Sequence, residues 1–94
     1  MDKDLFMLKV KGDSMIEAGI DDGDYVVIRK ENNVSKKSIV AVEVDGHATL
    51  KRFDIQGNKL ILIPENKKYD PIIVSVHEAR IIGSALGVIK SNVI

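Results

Sequence analysis

The residues with the clearest capacity for chemistry are Ser14 and Lys51. Ser14 follows Gly12 and Asp13, which predict a tight turn at the end of an apolar strand, and Lys51 stands in a later β-like run. A serine hydroxyl is a weak nucleophile until a base removes its proton, and a lysine can be that base when its amine is uncharged. Burial disfavours the charged ammonium and so lowers a lysine pKa. The pair therefore predicts a Ser–Lys catalytic dyad.

The neighbours of the two residues complete this hypothesis. Leu50 and Phe53 flank Lys51 and can wall its stem, which predicts a lowered pKa and an activity that rises toward alkaline pH. Acyl transfer also needs hydrogen-bond donors where the carbonyl oxygen gains charge. We expect the backbone N–H groups of Asp13 and Ser14, left unpaired by the turn, to form this oxyanion hole.

Each residue of the pair also has a simpler interpretation. A serine after Gly-Asp is commonly a turn or helix N-cap residue. Lys51 and Arg52 would by default be a solvated pair on a strand, a surface feature that contributes little stability.

Metal binding is a weaker hypothesis. Asp21, Asp22 and Asp24 resemble part of a calcium loop, but the ligand spacing and the distal glutamate are missing, so we predict a turn. His47 and His77 are lone residues without a second histidine at ligand spacing, which favours surface positions. We predict no metal and no cofactor.

The composition limits the class of protein. The 94 residues are 45% apolar and 30% charged, as in an ordinary single globular domain, and 14 basic residues balance 14 acidic ones. A neutral domain lacks the basic excess of a nucleic-acid binder, so any DNA contact is expected from another part of the protein. Cysteine is absent, which excludes disulfides and thiolate metal sites. The apolar runs are far shorter than the ~20 residues of a membrane span, and the charged start at 1–4 is unlike a signal peptide. We expect a cytoplasmic protein without membrane contact.

The pattern along the chain is mostly that of short strands. Residues 14–18 predict one helical turn with Asp13 or Ser14 as N-cap and Gly19 as its stop, and Asp45-Gly46 predicts a tight hairpin. The fold class is mainly β: one compact domain of short, mostly antiparallel strands, partly open and barrel-like. The predicted strands are 5–11, 25–30, 38–44, 47–53, 59–63, 71–76 and 79–90, the last bent or bulged at its glycines.

The order of these features resembles the LexA-type serine peptidase domain of LexA, UmuD and phage repressors, a domain related to signal peptidases. The resemblance covers nearly the whole chain. The segments that carry it are VKGDSM (10–15), AGI (18–20), DGD (22–24), LKRF (50–53), QGNK (56–59), LIPEN (62–66) and GSALGVI (83–89).

This resemblance implies a fold, an activity and partners. It makes Ser14 the nucleophile and Lys51 the general base of a self-cleaving endopeptidase. The family cuts its own chain at a small-residue bond, typically Ala-Gly, upstream of the serine. In repressors the upstream segment is a helix-turn-helix DNA-binding domain, and a RecA nucleoprotein filament stimulates the cut. Homodimers are also implied.

The length of the chain bears on this assignment. Thirteen residues precede Ser14 and contain neither a cleavage site nor a DNA-binding domain. We therefore expect residues 1–94 to be the C-terminal peptidase and dimerisation domain of a LexA-like repressor, either a cleavage product or a trimmed chain.

Two alternatives remain open at this point. One is a UmuD-like accessory protein of an error-prone polymerase. The other is a dimerisation module without active cleavage, in which apolar residues 85–89 offer a strand edge for pairing. A signal peptidase is not expected, because Glu17 stands where that family usually has proline and no membrane anchor is present.

Overall fold

The fold is one open antiparallel sheet, which confirms the predicted mainly-β class. The computed structural model describes residues 4–91, so residues 1–3 of the charged start and residues 92–94 of the predicted 1–94 domain lie outside the described residues. The spatial order of the seven strands is β1-β2-β7-β3-β4-β5-β6, and every neighbouring pair is antiparallel. The strands are β1 Leu5–Lys9, β2 Tyr25–Lys30, β3 Ile39–Val44, β4 His47–Gln56, β5 Lys59–Ile63, β6 Ile72–Ser75 and β7 Ala79–Ile89, with one 3₁₀ turn at Ile16–Ala18.

The connections follow the predicted turn chemistry with one exception. Asp45 and Gly46 both have positive φ and join β3 to β4 as a hairpin, and Gly19 ends the 3₁₀ turn in the left-handed conformation. The prediction that Asp13 or Ser14 caps this turn is wrong, because its N-cap is Met15 and no side chain bonds there. The side chains of Asp13 and Ser14 have partners elsewhere in the fold.

Strand β7 carries the predicted irregularities. Its register against β2 skips Leu86, between Ala85 and Gly87, and its register against β3 skips Ile82, next to Gly83. Each skipped residue is a β-bulge, which increases the local twist of the strand and bends it. The bends let one strand pair with β2 near its end and with β3 near its start.

The core divides between the two sides of β3. Ala41 packs with Leu50 and Met15 in one cluster, and Val40 packs with Phe53 in the other. Side chains alternate between the faces of a strand, so this division fixes the direction of every residue in the paired strand β4. Among residues 4–91 no helix has the length and apolar character that crossing a membrane requires.

Candidate active site

The structure brings Ser14 and Lys51 together. The Nζ atom of Lys51 lies 3.1 Å from the Oγ atom of Ser14, although the residues are 37 positions apart. Ser14 is half-buried in the turn after β1, and the Lys51 side chain in β4 is only 8% exposed. The interpretation of Lys51 as a solvated surface lysine is therefore wrong.

The surroundings of the Lys51 amine favour its uncharged form. Besides Ser14, Nζ contacts Thr49 Oγ1 at 2.9 Å and the carbonyl oxygen of Leu50 at 3.0 Å. No ion pair within residues 4–91 involves Lys51, and burial lowers its pKa from the ordinary 10.5. A neutral amine has two N–H donors and one lone pair. If the amine is uncharged, donation to Thr49 and Leu50 leaves that lone pair to accept the Ser14 hydroxyl proton.

The alternation of β4 explains how Lys51 reaches this position. Thr49, Lys51 and Phe53 are two residues apart and point to the same face of the sheet. Lys51 lies opposite Val40, and both Val40 and Phe53 are buried in the same apolar cluster. The lysine stem therefore runs along apolar groups while the amine reaches the edge of the core.

The turn that carries Ser14 begins at a glycine in the left-handed conformation. Gly12 has a φ of 86°, and its N–H donates to Asp22 Oδ1 at 2.7 Å. Within residues 4–91, neither the N–H of Asp13 nor that of Ser14 donates a hydrogen bond. The expectation that these two groups form an oxyanion hole stays a prediction.

A second loop holds this turn from the other side. The Asp13 carboxylate forms an ion pair with Lys68, 2.6 Å from Nζ to Oδ2, and accepts a 2.5 Å hydrogen bond from the Tyr69 hydroxyl. Lys68 first and Tyr69 second hold the pKa of Asp13 below its ordinary value. The backbone carbonyl of Asp13 accepts a 2.8 Å hydrogen bond from Asn66 Nδ2. Residues 66–69 therefore fix both the side chain and the main chain of the residue before Ser14.

A groove of about 390 Å³ opens beside the pair, and its walls include Ser14, Lys51, Pro64, Tyr69 and Ile72. A smaller cavity of about 120 Å³ adjoins Ser14 on the β1 side, lined partly by Leu8, Val10, Met15 and Leu50. Ser14 lines both spaces, and the smaller one is lined by polar as well as apolar side chains.

The turn that contains Asp21, Asp22 and Asp24 has a structural role. Asp24 is buried and pairs with Lys90 at 2.5 Å, and Asp22 holds Gly12. No cluster of three or more potential metal ligands occurs within residues 4–91. His47 and His77 are exposed, as predicted.

Sequence reasoning missed two residues of the site, Thr49 and Asn66. Thr49 carried a usable signal, because a residue two positions before Lys51 on a strand shares its face. Asn66 carried none, since its contact with Asp13 spans 53 positions and depends on how the β5–β6 loop folds back.

Comparison with known proteins identifies the family. The family model described as Peptidase S24-like matches residues 1–86. A LexA repressor of Clostridium novyi (strain NT) is 46% identical over 88 residues, which are 94% of this chain and 43% of that protein. A LexA repressor of Thermosipho africanus (strain TCF52B) is 45% identical over 85 residues, 90% of this chain and 43% of its own length. The chain thus spans less than half the length of these curated relatives. The breadth of the family match, over most of the chain, establishes that this chain belongs to the Peptidase S24-like family.

Proposed function

We propose that this chain is the C-terminal self-cleavage and dimerisation domain of a LexA-like transcriptional repressor. In this proposal Ser14 is the nucleophile and Lys51 the general base of a serine endopeptidase. The observation that carries it is the 3.1 Å contact between Ser14 Oγ and a buried lysine amine with no carboxylate partner among residues 4–91. The names of the relatives favour a repressor over a UmuD-like accessory protein or an inactive dimerisation module.

The reaction follows from the hydrogen bonds of the amine. Lys51 Nζ takes the hydroxyl proton as Ser14 Oγ attacks the carbonyl carbon of the scissile peptide. The backbone N–H groups of Asp13 and Ser14 stabilise the resulting oxyanion. The Lys51 ammonium then protonates the leaving amine, and the acyl group stays on Ser14. Water deprotonated by the returned neutral amine hydrolyses this ester, which releases a carboxylate and restores Ser14.

The substrate in this proposal is the protein's own upstream segment, cut at an Ala-Gly-type bond. The groove beside Ser14 accepts the segment in an extended conformation, and the small cavity next to it limits the side chain at the bond. A RecA nucleoprotein filament acts as co-protease during the SOS response to DNA damage in the cytoplasm. DNA is bound only through an N-terminal domain that precedes these residues in the repressor.

The test uses the longer protein with the native upstream sequence in front of these residues. At alkaline pH it should convert to two fragments, and Ser14→Ala and Lys51→Ala should stay uncut. The rate should rise with pH, because the neutral fraction of Lys51 increases. Ser38→Ala is a matched control, since the hydroxyl of this half-buried serine donates to the Ser35 carbonyl, away from the site, and its loss should leave the rate unchanged. Cleavage by Lys51→Ala at the parent rate, or a rate independent of pH, would contradict the proposal.

In this proposal the dimer interface lies at the end of β7. Residues 85–89 pair with β2 on one side, whereas β3 pairs with β7 only up to Ser84. One edge of this half-strand therefore has no strand partner within residues 4–91, and its apolar residues Leu86, Val88 and Ile89 are exposed. An open apolar edge favours antiparallel pairing with a second copy.

A further inference from the structure

Asn66 is a buried polar residue that contacts the residue before the proposed nucleophile. Its side chain is 7% exposed, and Nδ2 donates to the Asp13 carbonyl oxygen at 2.8 Å. Its Oδ1 accepts from the Lys68 N–H at 3.1 Å. These partners fix the orientation of the amide, because a flipped side chain would face a carbonyl with its oxygen and an N–H with its NH₂ group.

The Asp13 carbonyl and the Ser14 N–H belong to one peptide unit. In a planar trans peptide these groups point in opposite directions, and no cis peptide occurs among the described residues. A hydrogen bond that draws the carbonyl toward Asn66 therefore turns the Ser14 N–H away from Asn66. Ser14 lines the groove, whereas Asn66 does not.

The turn alone holds this peptide weakly. Its own hydrogen bond, from the Ile16 N–H to the Asp13 carbonyl, is 3.4 Å long, compared with 2.8 Å from Asn66. The side-chain bond is thus the shorter of the two restraints on the peptide plane, and it comes from a buried group with little freedom to move.

We infer that Asn66 is a positioning residue that aims the Ser14 N–H into the groove as an oxyanion donor. This inference rests on the proposed self-cleavage. Within the described residues, none of the hydrogen bonds of Asn66 involves Lys51 or Ser14 Oγ, so it acts through the peptide between Asp13 and Ser14. Its loss should slow the chemical step without changing the ionisation of the base.

Glu17, which contacts the residues on either side of Asn66, provides a matched control. The same loop also contacts the turn through Glu17, whose N–H donates to the Glu65 carbonyl and whose Oε2 accepts from the Lys67 N–H, both at 2.8 Å. Glu17→Ala removes a loop-to-turn contact of similar length and leaves the Asp13–Ser14 peptide untouched. It separates general loosening of the loop from misorientation of the donor.

The experiment measures self-cleavage of the longer protein across pH for Asn66→Ala, Asn66→Asp and Glu17→Ala. Asn66→Asp keeps the volume and the acceptor for Lys68 but loses the donor to Asp13. Both Asn66 variants should lower the plateau rate by about 100-fold, the lower range for loss of an oxyanion donor. In Asn66→Ala the midpoint of the pH profile should stay at the parent value, and Glu17→Ala should keep a plateau within about threefold of the parent.

Three results would overturn the inference, and a second variant decides if the first does not fold. If the parent cleaves and a folded Asn66→Ala keeps pace with Glu17→Ala, the Asn66 inference is overturned alone. A displaced midpoint with an unchanged plateau overturns it as well, because Asn66 would then act on the base. If the parent does not cleave, the proposed function fails and the inference with it. If thermal unfolding shows that Asn66→Ala does not fold, the plateau of Asn66→Asp decides by the same criterion.

Discussion

At the scale of single residues, the site depends on a lysine placed where it is unfavourable for folding. A buried ammonium without a counter-ion loses hydration that three hydrogen-bonding contacts only partly replace. Burial lowers the pKa of Lys51, so the ammonium is less favoured in this position than in water. The same property that suits Lys51 to its proposed role as a base therefore makes it a local source of instability.

This property predicts a pH dependence of stability. Between the lowered pKa of folded Lys51 and the ordinary 10.5, the unfolded chain binds the proton and the folded chain does not. Stability contributed at this position therefore rises with pH through that window. We expect the melting temperature of the parent to rise relative to Lys51→Met as the pH increases from 7 to about 10. Calorimetry of both proteins across this range checks it, and a constant difference would show that the folded pKa is not lowered.

At the scale of elements, β7 contains two glycines, Gly83 and Gly87, whose surroundings differ. A Cβ atom at Gly83 would lie 2.0 Å from the Arg29 carbonyl oxygen in β2. A Cβ at Gly87 would meet nothing within 4 Å, and Gly87 does not adopt a positive φ. Only Gly83 therefore requires the absence of a Cβ atom; at Gly87 there is room for one.

Gly83→Ala and Gly87→Ala should therefore differ in their effect on the free energy of unfolding. Gly83→Ala must push β7 away from the backbone of β2, so we expect a loss of about 3 kcal/mol or more in the free energy of unfolding. Gly87→Ala should change it by no more than about 0.5 kcal/mol. Urea unfolding of both variants measures the difference. Equal effects would mean that the close approach of β2 at Gly83 does not constrain the strand.

The strands were predictable where local signals agreed with pairing. The bounds of β2 and β5 match the prediction, because turn residues flank both strands and their apolar residues are regular. Strand β1 ends early at Lys9, since Val10 instead exchanges backbone hydrogen bonds with Gly23 and Asp24. Strand β4 runs on to Gln56 because β5 pairs with it beyond the end of β3. Such bounds depend on distant partners, which the local pattern does not contain.

The contacts of the candidate site likewise include some that the local sequence predicts and some that it does not. The contact between Ser14 and Lys51 was predictable because a turn and a strand, each recognisable locally, carry the two residues. The contact of Asn66 with Asp13 was not, because residues 64–69 form a loop whose course is set by tertiary packing. The N-cap failed for a related reason: Lys68 and Tyr69 bind the Asp13 carboxylate that would otherwise cap the turn.

At the scale of the whole molecule, Asp24 joins segments that are far apart in sequence. Its buried carboxylate accepts hydrogen bonds from Lys90 Nζ and the Ser91 N–H, at the end of β7, and from the Asp21 N–H. The backbone carbonyl of Asp24 accepts from the Val10 N–H, close to the turn that carries Ser14. One residue therefore joins the segment that follows β7 to the end of β1, which leads into the turn of Ser14.

Asp24 predicts a loss of stability in acid. The hydrogen bond from Lys90 is the largest influence that lowers its pKa from 3.8 to about 2. Between these values the unfolded chain binds the proton and the folded chain does not, so stability falls as the pH falls through the window. Asp24→Asn should be less stable near pH 6, by roughly 5 °C in melting temperature, and should lose less between pH 4 and pH 2. Parallel curves for the two proteins would contradict this.

Dimerisation is also a property of the whole molecule, and the open edge of β7 makes the proposed interface testable. Leu86 and Ile89, 50% and 51% exposed, lie where one edge of β7 has no strand partner within residues 4–91. A carboxylate at Ile89 would be desolvated in a paired edge, so Ile89→Asp should give a monomer by sedimentation equilibrium at a concentration where the parent is a dimer. Ile73→Asp is the matched control, because Ile73 is an isoleucine with 63% exposure on β6 and should leave the dimer intact. If both variants dissociate, the interface is not specific to the edge of β7. If the parent is a monomer, the dimer is removed from the proposed function, and the chemistry proposed for Ser14 and Lys51 is unaffected.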